Sequence, residues 1–288
     1  MSDDLGFVPF DADNHYYEAL DAFTRHLDPK DGQRCVQWAE INGRQYPVIG
    51  GRVSRVVANA TFDPISPAGS MHDYFRGNPE KKHPLEFLAK REPIRPEYRD
   101  HDARLAVMDQ QGVSKIWLFP TLGMLYEEIL KHDPEGVGIM FTAFNRWLQE
   151  DWGFDYKNRI FAGPYISLAS VDWACAELDW ALSQGARVVC MRPAAPTTLT
   201  GQLSPFDETA GITVIIHAGD SGYSSNGYAN DSFSASFSGS WKPSIKSFAI
   251  ERAAQDFIIT SVFEKLFDRF PNVRMASIEN GSSFLRDA

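Results

Sequence analysis

Asp11, Asp13 and His15 stand two residues apart in the run Phe7-Val8-Pro9-Phe10-Asp11-Ala12-Asp13-Asn14-His15. Apolar residues leading into alternating polar ones read as a buried strand whose C-terminal tip surfaces in a pocket. With a period of two, the three polar side chains share one face. A carboxylate and an imidazole so placed can grip one divalent cation. The same letters also spell an Asx-rich turn ahead of a helix, with His15 merely exposed.

Polar chemistry recurs where later apolar runs end. Arg192 follows Val188-Val189-Cys190-Met191, His217 follows Thr213-Val214-Ile215-Ile216, and Glu279-Asn280 follow Met275-Ala276-Ser277-Ile278. The Arg192 guanidinium is a rigid fork suited to a substrate carboxylate, or equally to a salt bridge. His217 can ligate a metal, polarise a carbonyl or pass a proton. Glu279 can replace a ligand or hold His217 from behind.

The elements that must position these residues alternate in type. Helical spacing marks Asp102 to Gln111 before Gly112, then Met140, Ala143, Phe144, Trp147 and Leu148, then Val171 to Gln184 before Gly185. A long helix is expected through Ile250, Ala254, Phe257, Ile258, Val262, Leu266 and Phe270. Between them lie short apolar runs at 114–119, 160–166, 187–191, 212–217 and 273–278. Strands alternating with helices imply parallel β-α-β units, in a barrel or an open doubly wound sheet. No glycine-rich phosphate loop follows any strand, and polar strand ends favour the barrel. Residues 19–99 interrupt the rhythm: a short helix over Ala19 to His26, a hairpin turning at Asn42-Gly43, then a stretch rich in proline, glycine and charge. They read as an insertion after the first strand, within a single domain spanning residues 1–288.

Composition narrows the function classes. The formal charge of −10 argues against nucleic acid and anionic membrane surfaces as partners. The 43% hydrophobic and 23% charged content over 288 residues is ordinary for a soluble globular protein. Cys35, Cys175 and Cys190 lie far apart, which suggests reduced thiols and a cytoplasmic address. No run reaches the length of a membrane span.

The Asp11-Ala12-Asp13-Asn14-His15 run, Ile215-Ile216-His217-Ala218-Gly219-Asp220-Ser221-Gly222-Tyr223 and Ser277-Ile278-Glu279-Asn280-Gly281 together resemble the amidohydrolase-related (amidohydrolase 2 type) metal-dependent hydrolases. This branch includes aminocarboxymuconate-semialdehyde decarboxylase, and the likeness runs from Phe7 to Phe284. It implies a (β/α)₈ TIM barrel holding one divalent metal, zinc in the first place or manganese. Asp13 and His15 map onto the family's first-strand ligand motif, and His217 completes the available ligand set. The implied activity is hydrolysis by a metal-activated water acting on a small-molecule substrate, aromatic or carboxylate-bearing. Non-oxidative decarboxylation and a non-catalytic binding or assembly subunit are the alternatives.

Three departures accompany the likeness. The family's fifth-strand histidine is expected near Met191-Arg192, where none stands. A last-strand aspartate is expected well after Gly281, and Asp287 is too close to serve. Few residues separate Met191 from Ile212, with Phe206 to Gly211 as a shortened crossover. The expectation is a barrel lacking its last β/α unit. Its exposed strand edge would favour a homo-oligomer or low solubility. The serine-, glycine- and aromatic-rich segment Gly219 to Ser247 is expected to form a lid over an apolar or aromatic substrate.

Overall fold

The structure is a computed structural model describing residues 6–57, 59–192, 213–217 and 246–282. Its first strand, β1, spans Phe10–His15. An antiparallel sheet follows, made of β2 (Val36–Ile41), β3 (Arg44–Ile49) and β4 (Arg52–Val53). Two single-turn helices, α1 (His72–Phe75) and α2 (Pro84–Phe87), close this insertion. The regular part then runs α3 (His101–Gln111), β5 (Lys115–Phe119), α4 (Gly123–Ile129), α5 (Pro134–Asp151), β6 (Ile160–Ala162), α6 (Val171–Ser183) and β7 (Val188–Met191). After it come β8 (Thr213–His217), α7 (Lys246–Phe263), α8 (Leu266–Arg269) and β9 (Arg274–Ile278).

Six strands run parallel and lie side by side in chain order. β1 pairs with β5, β5 with β6, β7 with β8, and β8 with β9. The two halves join just beyond β6, where Tyr165 bridges Cys190 and the Ile166 N–H donates to the Cys190 carbonyl at 2.8 Å. Period two then sorts side chains between two cores. Val188, Cys190 and Ile215 pack with Tyr16, Phe119, Phe144 and Trp147, while Val189, Met191, Val214 and Ile216 pack with Leu178, Ala254 and Phe270. Strands buried on both faces account for the unbroken apolar runs.

The sheet curls. Four strand steps separate β1 from β8, about 19 Å if the sheet were flat, yet the imidazoles of His15 and His217 meet at 3.0 Å. The barrel, expected to lack its last β/α unit, is not closed: among the described residues no hydrogen-bonded pair joins β9 to β1. What the structure shows is an α/β fold with curled parallel sheets.

Local signals explain most element ends. Asp100 caps α3 by accepting the Ala103 N–H, and Gly112 ends it at φ 70°. Asp133 and Pro134 start α5, whose Met140, Phe144, Trp147 and Leu148 are buried. Asn42 and Gly43, both at positive φ, turn the β2–β3 hairpin as expected. The insertion shares the main core through Phe23, Cys35, Val36, Ile49 and Phe62.

Three expectations fail. Residues 19–26 form successive turns rather than a helix, with Ala22 N–H bonded to Ala19 O and Thr24 N–H to Asp21 O; the burial of Ala22 and Phe23 in the core sets their path. Phe7, Val8 and Phe10 lead into β1 exposed rather than buried, because β5 covers only one edge of that strand. The long helix over 250–270 breaks at Lys265, at φ 55°, leaving Val262 and Phe263 exposed at the end of α7. Among the described residues no helix is long and apolar enough to cross a membrane.

Gly163 permits the junction of the two halves, since a Cβ there would stand 2.5 Å from Cys190 Sγ. Gly163→Ala is expected to cost about 1–3 kcal/mol of overpacking, read as a lower urea midpoint at unchanged slope.

Candidate metal centre

The site begins with a defect in β1. Asp11 lies opposite Ile116 and Asn14 opposite Leu118, so a residue is inserted against β5. This bulge breaks the two-residue alternation. Asp11 is therefore turned away from Asp13 and His15, contrary to the shared face expected of all three. Its Oδ2 accepts from Asn14 Nδ2 at 2.6 Å and its Oδ1 from the Asp13 N–H at 3.0 Å, which pins the bulge. Arg104 of α3 braces it from behind, donating to Asn14 Oδ1 and to the His15 carbonyl.

Asp13 and His15 instead meet His217, the last residue of β8. His15 Nε2 lies 3.0 Å from His217 Nε2, Asp13 Oδ1 lies 3.3 Å from His217 Nε2, and Asp13 Oδ1 lies 3.5 Å from His15 Nε2. Neighbouring ligands on a tetrahedral ion, bound at about 2.0–2.2 Å, stand about 3.3–3.5 Å apart, so these residues fit a small divalent cation. Among the described residues this is the one group of histidine and acidic side chains arranged to hold a metal.

Each ligand is prepared for that task. His15 Nδ1 donates to the Pro120 carbonyl at 3.1 Å. A carbonyl only accepts, so the proton sits on Nδ1 and Nε2 turns its lone pair to the centre. The imidazoles of His15 and then His217 beside it hold the Asp13 carboxyl well below the usual carboxylate range, leaving it ionised as a ligand must be. His217 is 2% exposed, with the Phe119 ring 5.1 Å from its own. Glu279 turns in from the end of β9 at φ 58°, its Oε2 3.9 Å from His217 Nε2.

Arg192 does not point its charge at this group. Only 5% exposed, its Nη1 donates to Glu128 Oε2 at 2.7 Å and its Nε stands 3.6 Å from Glu127 Oε1. Tyr165 OH and Ser167 Oγ donate to Glu127, and Lys131 donates to Glu128. Of the two sequence readings of Arg192, the geometry matches the salt bridge: two acids on α4 already neutralise it. Sequence reading passed over Glu127 and Glu128. The signal was present, since adjacent acids inside Gly-Met-Leu-Tyr-Glu-Glu-Ile must be paired if that helix is buried.

Glu18 was also missed. Its side chain is 2% exposed, and Oε1 accepts the N–H groups of Thr121, Leu122 and Gly123 at 2.9, 2.7 and 3.0 Å. Burial, opposed by those bonds, pushes its carboxyl up to about 7. The folded chain thus holds this proton more tightly than the unfolded chain, whose ordinary value is 4.5. Its contribution to stability falls as pH rises from about 4.5 to 7. Glu18→Gln, which cannot ionise, is expected to gain about 3 kcal/mol relative to wild type between pH 4 and pH 8. Denaturant unfolding of both proteins at the two pH values checks this.

No family model matches the chain, and neither does any curated protein. A solved structure does: amidohydrolase map2389c from Mycobacterium avium subsp. paratuberculosis K-10 matches with a TM-score of 0.86 and 39% identity, over 98% of this chain and 74% of that one. The chain belongs to the amidohydrolase superfamily.

Within this amidohydrolase the strand count corrects the expectation of a missing fifth-strand histidine. β7, which ends at Met191, is the fourth parallel strand; β8 is the fifth, and it ends in His217. The expectation places that histidine one strand too early, at the end of the 187–191 run. Phe206 to Gly211, the expected lid as far as Ile245, and Asp287 lie outside the described residues. Lys246 and Ser247, assigned to that lid, open α7.

Proposed function

We propose that this amidohydrolase is a metal-dependent hydrolase of small molecules, cleaving a C–N or C–O bond adjacent to a carbonyl. The observation that carries the reading is the convergence of Asp13 Oδ1, His15 Nε2 and His217 Nε2. Two imidazoles and one carboxylate suit zinc first and manganese second. Three protein ligands with an open position are the usual catalytic arrangement. An ion there supplies Lewis acidity and lowers the pKa of its water toward about 7.

The chain's own residues do the rest. Asp13 and the Nδ1-protonated His15 aim their electron pairs at one point, and His217 closes it from the fifth strand. Glu279 is proposed as the proton acceptor for the attacking water and the donor to the leaving group. Its exposed carboxylate reaches the site's edge, and its left-handed backbone is the strain that functional positions carry. Phe119, fully buried, packs against the rings of His15 and His217 and holds both in place. Arg192, already neutralised, is proposed to hold α4 rather than the substrate. The reassigned fifth-strand histidine also removes one sequence argument for a non-catalytic chain.

A panel of small amides, esters and lactones, assayed with zinc- and manganese-loaded protein, tests the proposal. Turnover is expected to vanish with a chelator and return with metal. Glu279→Gln should lower kcat by about 10²–10⁴-fold, the usual worth of a proton-transfer group, with metal content unchanged. Turnover indifferent to chelation would refute it.

A further inference from the structure

The buried Glu18 has no part in that chemistry, yet its bonds lead to it. Its Oε1 gathers three consecutive N–H groups, Thr121 to Gly123, at the start of α4. No side chain from α4 itself or its N-cap Leu122 performs this task, so a residue distant in sequence caps the helix. The segment so held begins at Pro120, whose carbonyl accepts the His15 Nδ1 proton. Thr121 ties the same segment back to β1, its Oγ1 donating to the Tyr16 carbonyl at 2.7 Å. The segment lies close against α5, for a Cβ at Gly123 would stand 3.3 Å from the Phe144 ring.

We propose that Glu18 is a positioning residue: by clamping residues 121–123 it fixes the Pro120 carbonyl that selects the His15 tautomer and aims Nε2 at the centre. The chain of contacts runs Glu18, Thr121–Gly123, Pro120, His15, and each link is a hydrogen bond or a covalent neighbour. Orientation of a ligating histidine through its second nitrogen is worth about 10–100-fold in metal affinity, and here that partner is a backbone carbonyl needing its own support. The proposal deepens the metal reading and rests on His15 being a ligand; its first readout does not require metal.

The experiment compares wild type, Glu18→Ala and Glu18→Gln, uniformly labelled with ¹⁵N, with the His15 ring signals assigned from a His15→Ala spectrum. Metal-free protein is read first for the His15 tautomer, then titrated with zinc against a chromophoric chelator. Wild type is expected to hold one Nδ1-protonated form. Glu18→Ala should mix the two tautomers and weaken zinc binding about 10–100-fold. Glu18→Gln, whose amide oxygen still accepts the three N–H groups, should restore both. If Glu18→Ala is unfolded by circular dichroism, Glu18→Asp, too short to reach all three donors, replaces it. A folded variant with His15 still wholly Nδ1-protonated overturns the positioning role. Zinc binding absent from wild type would instead overturn the metal reading, while the tautomer result still judges Glu18.

Discussion

Arg192→Ala is expected to lower the unfolding free energy by about 3–5 kcal/mol, the cost of leaving buried acids without their counter-charge. Glu127 and Glu128 are 3% and 7% exposed, and Arg192 lies against both. Lys131 partly offsets Glu128 at 2.6 Å, and Tyr165 and Ser167 satisfy Glu127 with neutral donors. Glu127 then keeps hydrogen bonds but loses its opposing charge. Denaturant unfolding of wild type and variant at one pH measures the loss. A substrate-binding arginine would behave differently, with unchanged stability and a raised KM.

His217→Ala carries the largest expected functional effect. Second-shell changes at metal sites cost about 10–100-fold in affinity, so losing a ligand from a three-ligand set should cost at least about 10³-fold. Turnover on any substrate found should drop by a similar factor. A thermal readout needs no substrate. Zinc at about 1,000 times its Kd should stabilise the wild type by about 4 kcal/mol through mass action, and the variant by almost nothing. Equal zinc-induced shifts in Tm would show that the ion binds elsewhere.

Much of this site was legible in residue types and spacing. His15 and His217 end their strands, Asp13 stands two residues before the end of β1 and Glu279 just after β9, and sequence alone places them there. Two things were not legible. The bulge at Ala12–Asp13 depends on register against β5, which no single-strand pattern records, so Asp11 was assigned to the wrong face. The pairing of β8 with β7 and β9, which makes His217 the fifth-strand residue, is tertiary, and the family's histidine was sought one run too early. Arg192 shows a third limit. A strand-end arginine reads the same whether it awaits a substrate or answers two acids 64 and 65 residues earlier in the chain. The helices α3, α5 and α6 match their spacing and start at local caps, Asp100, Asp133 and Ser170, whereas the helix over 19–26 and the unbroken helix over 250–270 did not form.

The central claim is that three side chains from the first and fifth strands hold a catalytic metal. Metal content per purified chain, after loading with zinc or manganese and removal of excess, tests it most directly in wild type and in the Asp13→Ala/His15→Ala variant. The account predicts about one ion per wild-type chain and about none in the variant. Metal-free wild type, or equal content in both proteins, would contradict it.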